Sequence, residues 1–301
     1  MSETTDWINE NIPDQSGKLA LVTGANSGLG YEVSLALALK GATVIMACRN
    51  LKKGDEAAAK IREENPSGEV RLMNLDLADL SSVKQFAEEF RSKYTHLDLL
   101  INNAGVMATP YGETADGFEL QFGINHIGHF ALTGLLLDLL ENTPNSRIVT
   151  VSSYAHWFGR INFDDLNGEK FYYRWLGYTQ SKLANVLFAY ELQRKLSQSG
   201  KDTLSVAAHP GYAETNLQQH SAFWSFLNPV MAQSQAMGAL PILYAATRPE
   251  IEGGEYIGPD GFLGQHGYPH KARSSKGSHN EATAEHLWDV SEELTGVKYD
   301  I

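Results

Sequence analysis

The sequence predicts an α/β fold, in which a doubly wound parallel sheet of about seven strands carries helices on both faces. Short apolar runs alternate along the chain with longer segments rich in Ala, Leu, Glu and Lys. The apolar runs are almost uninterrupted, which is typical of parallel strands covered on both faces. No repeat, low-complexity tract or linker divides the chain, so we expect these elements to form a single domain.

The elements follow one another as strand–helix–strand units. Apolar runs predict strands at residues 19–23, 43–48, 70–74, 97–101 and 148–151. Helical patterns lie between them at 29–40, 52–64, 81–93 and 118–140. A helix at 181–196, a strand at 204–207, a helix at 236–247 and a short strand at 255–257 complete the series. Such alternation implies right-handed crossovers between parallel strands. Residues 1–17 precede this domain, which spans 18–301, as an N-terminal extension.

Composition excludes several classes of protein. The 301 residues carry a formal net charge of −12, which argues against a nucleic-acid surface. The single cysteine, Cys48, rules out an intrachain disulfide and fits a reducing compartment. Residues 1–17 lack the basic start and apolar stretch of a signal peptide, and no window reaches the roughly 18 apolar residues of a membrane span. We therefore expect a soluble, cytoplasmic protein with no integral membrane segment.

A glycine-rich loop directly follows the first predicted strand. Gly24, Gly28 and Gly30 stand in the pattern Gly-x-x-x-Gly-x-Gly, and a helix follows. Glycines at such a turn let the backbone approach a pyrophosphate, and the helix N-terminus offers free N–H groups. Three glycines alone would be weak support, but the strand–loop–helix context favours nucleotide binding. The contacts predicted here come from Gly24, Asn26, Ser27, Gly28, Leu29 and Gly30.

With this loop the chain resembles the short-chain dehydrogenase/reductase family, and the resemblance runs in order from about residue 18 to 255. It implies a Rossmann-like fold and a nicotinamide cofactor. Asp76 matches the family's contact to the adenine ring, with Leu77 beside it. Asn103, Ala104 and Gly105, after Asn102, match the segment that lines the cofactor site. Pro210 and Gly211, with Ala213 and Thr215 after them, match the segment that holds the nicotinamide carboxamide.

The second strand indicates which nicotinamide cofactor is used. An acidic residue about 20 positions after the glycines would bind the ribose of NAD and repel a 2′-phosphate. Cys48 occupies that position, Arg49 and Asn50 follow it, and Lys53 lies on the next helix. A guanidinium can hold a phosphate through two hydrogen bonds, so we expect NADP(H). Asn26 and Ser27 provide no second basic anchor, and Arg49 as a merely solvated strand end remains the alternative.

Tyr178 and Lys182 form the only Tyr-x-x-x-Lys in the sequence and share one face of a predicted helix. A free tyrosine, with a pKa of about 10, is too weak an acid for carbonyl chemistry, and a nearby ammonium favours its ionisation. The resemblance gives both residues catalytic and cofactor-binding roles. It assigns Ser153, in preference to Ser152, to the substrate oxygen. It also implies that Asn125 orders a water in a proton relay with the lysine.

The chain departs from the family pattern between the serine and the tyrosine. Ser153 and Tyr178 are 25 positions apart, because an insertion at about 154–177 lengthens this segment. The length and Gly168-Glu169-Lys170-Phe171 resemble the subgroup of retinol dehydrogenases and protochlorophyllide reductases. This insertion and a substrate loop at about 212–233, with Phe223, Trp224, Phe226 and Leu227, are rich in aromatic residues. They suit a lipophilic substrate, although packing in a core or interface is the alternative.

We therefore predict an NADP(H)-dependent enzyme that interconverts an alcohol and an aldehyde or ketone, with a retinoid, a terpenoid or a long-chain carbonyl compound as substrate. The alternative is a catalytically silent nucleotide sensor or scaffold on the same fold. No metal site is expected, since no carboxylate or cysteine completes ligand spacing around the histidines. The C-terminal segment at about 258–301 either closes over the site or covers the sheet edge. The direction of the reaction and a homo-oligomeric state stay open.

Overall fold

A computed structural model describes residues 3–212 and 233–301. Its strands are β1 (Leu19–Thr23), β2 (Thr43–Cys48), β3 (Glu69–Asn74), β4 (Leu99–Asn102), β5 (Arg147–Val151), β6 (Leu204–Ala208), β7 (Tyr256–Pro259) and β8 (Pro269–Lys271). They form one sheet in the order β3-β2-β1-β4-β5-β6-β7-β8. The pairs from β3 to β7 are parallel, and β8 joins β7 antiparallel. The predicted parallel sheet is confirmed, and the short edge strand β8 extends it.

The helices are α1 (Glu3–Asn11), α2 (Gly28–Leu39), α3 (Leu51–Glu63), α4 (Leu80–Lys93), α5 (Leu120–Phe122), α6 (Gly128–Glu141), α7 (Arg174–Gln198), α8 (Gln235–Thr247) and α9 (Glu281–Thr295). A π-helical segment, Gly123–Ile127, joins α5 to α6. The helix predicted at 118–140 is therefore interrupted by a widened turn. Helix α7 begins at Arg174 and is longer than predicted. Among the described helices, none has both the length and the apolar character needed to cross a membrane.

Two buried layers of side chains enclose the sheet. One contains Leu21, Ile45, Phe86 and Phe130 and lies under α4, α6 and α7. The other contains Val22, Val44, Leu37 and Leu240 and lies under α2 and α8. Alternate residues of the same strands therefore enter opposite layers, because side chains in a strand alternate between its faces. This explains why the strands are almost continuously apolar in sequence.

Helix α9 covers the outer side of α6 and α7. The Trp288 ring lies 5.2 Å from that of Phe130 and 5.9 Å from that of Phe188, measured between centroids. Beyond the helix, the Tyr299 hydroxyl donates a hydrogen bond to the Phe130 carbonyl at 2.6 Å. The C-terminal segment thus packs on these two helices and buries apolar surface they would otherwise expose to water.

The N-terminal extension is partly helical and is fastened to the domain. Trp7 of α1 stacks on Tyr268, with 6.2 Å between ring centroids. The Arg248 guanidinium, just after α8, donates to the carbonyl of Asn11 at 2.8 Å. These contacts lie on the layer of α2 and α8.

The order of the strands places the site. The chain leaves β3 at one end of the sheet and re-enters at β4 beside β1, so the direction of winding reverses between these strands. In doubly wound sheets, ligands bind outside the carboxyl ends of the strands at such a reversal. Thr23 ends β1, Asn102 ends β4 and Val151 ends β5. The segments that follow these residues therefore meet at one edge.

Candidate active site

The glycine loop after β1 has a backbone that only glycine adopts readily. Gly24 and Gly28 have φ of 66° and 58°, in the left-handed region. Gly30, in the first turn of α2, packs against the loop itself. A Cβ at Gly30 would meet the carbonyl oxygen of Gly24 and stand 2.7 Å from Nδ2 of Asn103. The glycines thus bring β1, α2 and the turn after β4 closer together than side chains would permit.

Thr23 and Asn103 connect the glycine loop to the turn after β4. The Asn103 side chain donates to the carbonyl of Thr23 at 2.8 Å. The backbone N–H groups of Asn103 and Ala104 both donate to the Thr23 hydroxyl, at 2.9 and 3.0 Å. These three hydrogen bonds join the two strand ends, and each strengthens the others because they share Thr23 and Asn103.

A cavity of about 260 Å³ opens above these strand ends. Most of the predicted cofactor contacts line it: Gly24, Asn26, Ser27, Gly28, Leu29, Gly30, Arg49, Asp76, Leu77, Asn103, Ala104 and Gly105. Ala47, Leu75, Val106 and Ile124 also line it and were missed, because apolar side chains and loop backbone carry no distinctive signal in a sequence. The residues from five separate segments thus converge on one cleft.

Arg49 and Asp76 stand at the end of the cavity formed by β2 and β3. The side chain of Arg49 is 70% exposed, and its Nη1 lies 3.9 Å from Oδ2 of Asp76. Asn50 does not line the cavity but caps α3, where its side chain accepts from the N–H of Lys53 at 3.0 Å. Arg49 is therefore the predicted basic residue that has both position and freedom to meet an anion there.

Tyr178 and Ser153 form a hydrogen-bonded pair between α7 and the end of β5. Their hydroxyl groups share a hydrogen bond, and Tyr178 is buried. Burial raises the pKa of the Tyr178 phenol above its ordinary value, and the hydrogen bond to Ser153 opposes this rise. In the protein without cofactor, Tyr178 is therefore protonated and able to donate its proton.

Lys182 lies one turn after Tyr178, with Nζ 5.9 Å from the centre of the tyrosine ring. The ammonium donates to the carbonyl of Val151 at 3.1 Å. Burial lowers the pKa of Lys182 to about 8, because the charged form loses its solvation. The lysine thus titrates close to neutrality, beside the phenol it is predicted to assist.

Asn125 belongs to the π-helical segment and faces the turn after β4. Its Oδ1 accepts from the N–H of Val106 at 2.8 Å, and its Nδ2 donates to the carbonyl of Val106 at 3.0 Å. Nδ2 also donates to the hydroxyl of Ser181 at 2.9 Å. Ser181 in turn donates to the carbonyl of Tyr178 at 2.8 Å. The structure therefore places Asn125 in contact with the helix that carries Tyr178 and Lys182.

The two serines after β5 have different surroundings. Ser152 is buried and donates to the carbonyl of Lys182 at 2.7 Å. It also bonds the hydroxyl of Tyr256. Ser153 accepts from the N–H of Ala155 at 3.2 Å and shares the bond with Tyr178. Ser152 is thus directed into the protein, whereas the Ser153 hydroxyl faces Tyr178.

The insertion between Ser153 and Tyr178 is anchored beside α5. The Tyr172 hydroxyl donates to the carbonyl of Thr109 at 2.9 Å and accepts from Nε2 of Gln121 at 2.9 Å. Gln121 also accepts from the N–H of Ala108 at 2.7 Å. The ring of Trp175 meets that of Tyr178 edge to face, 6.2 Å between centroids. The insertion thus forms a wall next to the tyrosine.

A second cavity, of about 240 Å³, lies between the residues that follow Ser153 and the C-terminal segment. Tyr154 and Trp157 line it from the insertion, and His209, Leu263 and Arg273 line it from β6 and the C-terminal segment. Pro210 and Gly211 follow His209, and the Gln265 carbonyl accepts from Tyr212 at 2.8 Å. Ala213, Thr215, Phe223, Trp224, Phe226 and Leu227 lie outside the described residues. Within 3–212 and 233–301, no group of three or more His, Cys, Asp or Glu side chains is arranged for a metal ion.

Comparison with known proteins gives consistent matches over most of the chain. A family model described as short chain dehydrogenase matches residues 18–224. Human retinol dehydrogenase 11 is 45% identical over 287 residues, which cover 94% of this chain and 87% of that protein. Human retinol dehydrogenase 12 is 41% identical, covering 94% and 88%. An uncharacterised protein from Mycobacterium paratuberculosis has a crystal structure with TM-score 0.83 and 43% identity, covering 97% and 98% of the two chains.

Proposed function

The chain belongs to the short-chain dehydrogenase family of oxidoreductases, and from this premise we propose that it interconverts an alcohol and an aldehyde or ketone with NADP(H). One observation carries the proposal. The hydrogen-bonded pair of Tyr178 and Ser153 lies beside the buried ammonium of Lys182, at the strand edge that also carries the glycine-lined cavity. Carbonyl reduction requires an acid, a second hydroxyl group at the substrate oxygen and a cationic group, all close to a nucleotide cleft.

The residues around the cavity fit a dinucleotide. Gly24, Gly28 and Gly30 line the cavity and carry no side chains, so a pyrophosphate could approach the loop backbone and the N-terminus of α2. Asp76 and Leu77 would hold the adenine end, and Asn103, Ala104 and Gly105 the part nearer Lys182. Arg49 would bind a 2′-phosphate, which favours NADP(H) over NAD(H). When bound, this cofactor supplies or accepts the hydride.

Tyr178 and Ser153 handle the proton at the substrate oxygen. In reduction, Tyr178 donates its proton to the carbonyl oxygen, and Ser153 donates a hydrogen bond to the charge that develops there. In oxidation, Tyr178 takes the proton back from the hydroxyl group. The raised pKa of the buried phenol keeps the proton on Tyr178 until the oxygen becomes basic enough to accept it.

Lys182 and Asn125 support the tyrosine. The Lys182 ammonium, 5.9 Å from the tyrosine ring centre, stabilises the phenolate that remains after donation. Asn125 fixes the Val106 backbone and Ser181 on either side of this pair. It would order the water through which Lys182 restores the proton.

A lipophilic substrate is the best-supported class. Tyr154, which follows Ser153, lines the second cavity with Trp157 and Leu263, and the polar side chains of His209, Asp260, His270 and Arg273 also line it. Aromatic and aliphatic side chains can bind the apolar body of a ligand, and polar groups among them can orient it. The curated relatives named above are retinol dehydrogenases, which is consistent with a retinoid or another long apolar carbonyl compound. The cytoplasmic location remains a prediction.

The test is a panel of aldehydes, ketones and alcohols, each assayed with both cofactors through nicotinamide absorbance. We expect NADPH-dependent reduction whose catalytic efficiency rises with aliphatic chain length, since each buried methylene contributes about 0.8 kcal/mol. Tyr178→Phe should retain NADPH binding and lose activity by roughly 10²-fold or more. The matched control is Tyr111→Phe, which removes an exposed hydroxyl bonded to Glu113.

Three results would count against parts of the proposal. Faster turnover of short polar carbonyl compounds would exclude the lipophilic site while leaving the chemistry intact. Retention of more than about a tenth of the activity in Tyr178→Phe would exclude tyrosine as the acid. Tight NADPH binding with no turnover across the panel would favour a nucleotide sensor.

A further inference from the structure

His129 is a buried polar residue that none of the roles above requires. It stands four positions after Asn125, in the first turn of α6, and is 1% exposed. Its Nδ1 lies 3.0 Å from the carbonyl oxygen of Asn125. Its Nε2 lies 2.9 Å from the hydroxyl of Thr23 at the end of β1. One imidazole ring therefore bridges the predicted relay residue and the strand end beneath the cofactor cleft.

The partners determine where the ring carries its proton. A carbonyl oxygen can only accept, so Nδ1 must carry the hydrogen and donate it to Asn125. Burial, with the positive charge of Lys182 nearby, lowers the pKa of His129 to about 4, so the ring is neutral near pH 7. A neutral ring has one N–H, and Nε2 is therefore an acceptor.

The Thr23 hydroxyl meets this requirement. It already accepts from the N–H groups of Asn103 and Ala104, which leaves its own hydrogen to donate. Nε2 of His129 is the nearer acceptor at 2.9 Å, while the carbonyl of Ile101 lies at 3.3 Å. The hydrogen bonds then run in one direction: Ala104 donates to Thr23, Thr23 donates to His129, and His129 donates to Asn125.

We propose that His129 is a positioning residue that couples the turn lining the cofactor cleft to the backbone of Asn125, through the two nitrogens of one neutral ring. This inference rests on the proposed function for its kinetic consequences. The bond from Nδ1 fixes the peptide of Asn125 within the π-helical segment, and so fixes the side chain that holds Val106 and Ser181. The bond from Thr23 fixes the turn of Asn103 and Ala104.

Two substitutions separate the two bonds. In His129→Asn the amide nitrogen takes the place of Nδ1 and keeps the donor to Asn125, but the side chain is too short to reach Thr23. In His129→Gln the amide reaches Thr23 but leaves no donor at the Asn125 carbonyl. His126→Asn is the matched control. His126 is equally buried, three residues earlier, but bonds the Ser291 hydroxyl of α9 at 2.9 Å.

The kinetic and binding effects should separate in the same way. A net hydrogen bond corresponds to roughly twofold to tenfold in an equilibrium or rate. We therefore expect His129→Gln to lower kcat by about that factor, with NADPH dissociation constant and carbonyl KM unchanged. His129→Asn should weaken NADPH by a similar factor with kcat retained. His126→Asn should lower thermal stability and change neither quantity. Parallel changes of kcat and dissociation constant in both His129 variants, in proportion to lost stability, would overturn the proposal.

A second readout needs no turnover. Nitrogen NMR of the His129 ring in the unmodified protein should show a protonated Nδ1 and an unprotonated Nε2 between about pH 6 and 8. A proton on Nε2 would overturn the inference even in an active enzyme. If instead the protein reduces no carbonyl compound, the proposed function fails, and the ring nitrogens with the NADPH dissociation constants of the variants still decide the role of His129.

Discussion

Replacing Arg49 by alanine should change cofactor selectivity more than any other property of the protein. In the structure, the Arg49 side chain is 70% exposed, and its guanidinium lies 3.9 Å from the Asp76 carboxylate. An exposed ion pair of this kind contributes about 0–1 kcal/mol. A hydrogen bond from the guanidinium to a phosphate contributes about 1.5–3 kcal/mol. Breaking the first bond to form the second therefore leaves about 0.5–3 kcal/mol of net preference for the 2′-phosphate.

This difference is measurable as a ratio of dissociation constants. Arg49→Ala should weaken NADPH binding roughly twofold to 150-fold and leave NADH binding nearly unchanged. Titration of each cofactor, followed by nicotinamide fluorescence, gives both constants on the same sample. Raised ionic strength should reduce the difference, because an exposed charge is screened.

Arg71→Ala is the matched control for this experiment. Arg71 is another exposed arginine on the neighbouring strand, paired with Glu69 at 2.7 Å, and it does not line the cavity. It should leave both constants unchanged. If Arg49→Ala weakens NADPH and NADH equally, or if the unmodified protein binds both equally well, the assignment of the 2′-phosphate to Arg49 is wrong.

Three further results are expected. Gly30→Ala places a Cβ 2.7 Å from Nδ2 of Asn103, which should lower the free energy of unfolding by about 1–3 kcal/mol and remove most of the affinity for NADPH. Gly112→Ala is the control, because its Cβ would have its nearest neighbour at 3.8 Å. It should change neither quantity in the same melting and titration assays. Ser153→Ala should lower kcat by about 10²-fold, whereas Ser152→Ala should mainly lower the melting temperature. The reverse pattern would show that Ser152 is the serine that binds the substrate oxygen. The value of kcat/KM for carbonyl reduction should fall above about pH 8, because burial lowers the pKa of Lys182 to about 8 and its charged form is lost as pH rises. Lys182→Arg should move that fall to higher pH, since arginine stays charged. An unchanged pH profile in this variant would show that another group causes the fall.

The parallel sheet could be predicted because each strand enters both apolar layers. Residues such as Leu21 and Val22 face opposite layers, so the whole run must be apolar and is visible in the sequence. The glycine loop was also visible, since the backbone at Gly24 and Gly28 has a positive φ that favours glycine and Gly30 has no room for a Cβ. Arg49 could be located because a strand end has a fixed position relative to the loop.

Other features depend on contacts that sequence patterns do not encode. The π-helical turn at Gly123–Ile127 leaves the apolar periodicity nearly unchanged, so one continuous helix was expected. The first turns of α7 were missed because Gly177 and polar residues conceal the helical pattern there. The spacing of four residues between Asn125 and His129 is visible in the sequence and allows a bond between them. The second partner of His129, the Thr23 hydroxyl, becomes apparent only when β1 is placed next to α6. The choice between Ser152 and Ser153 likewise depends on which of the two hydroxyl groups is bonded inside the protein.

The position of α9 has a consequence for the order in which the chain acquires its structure. The bond from Tyr299 to the carbonyl of Phe130 joins residues 169 positions apart. During synthesis, the apolar faces of α6 and α7 must therefore wait for α9 and Tyr299 before they are covered. Contacts between such distant residues form slowly, and apolar surface exposed meanwhile is prone to aggregation. Nascent chains halted before α9 should consequently bind chaperones more strongly than chains that extend beyond Tyr299.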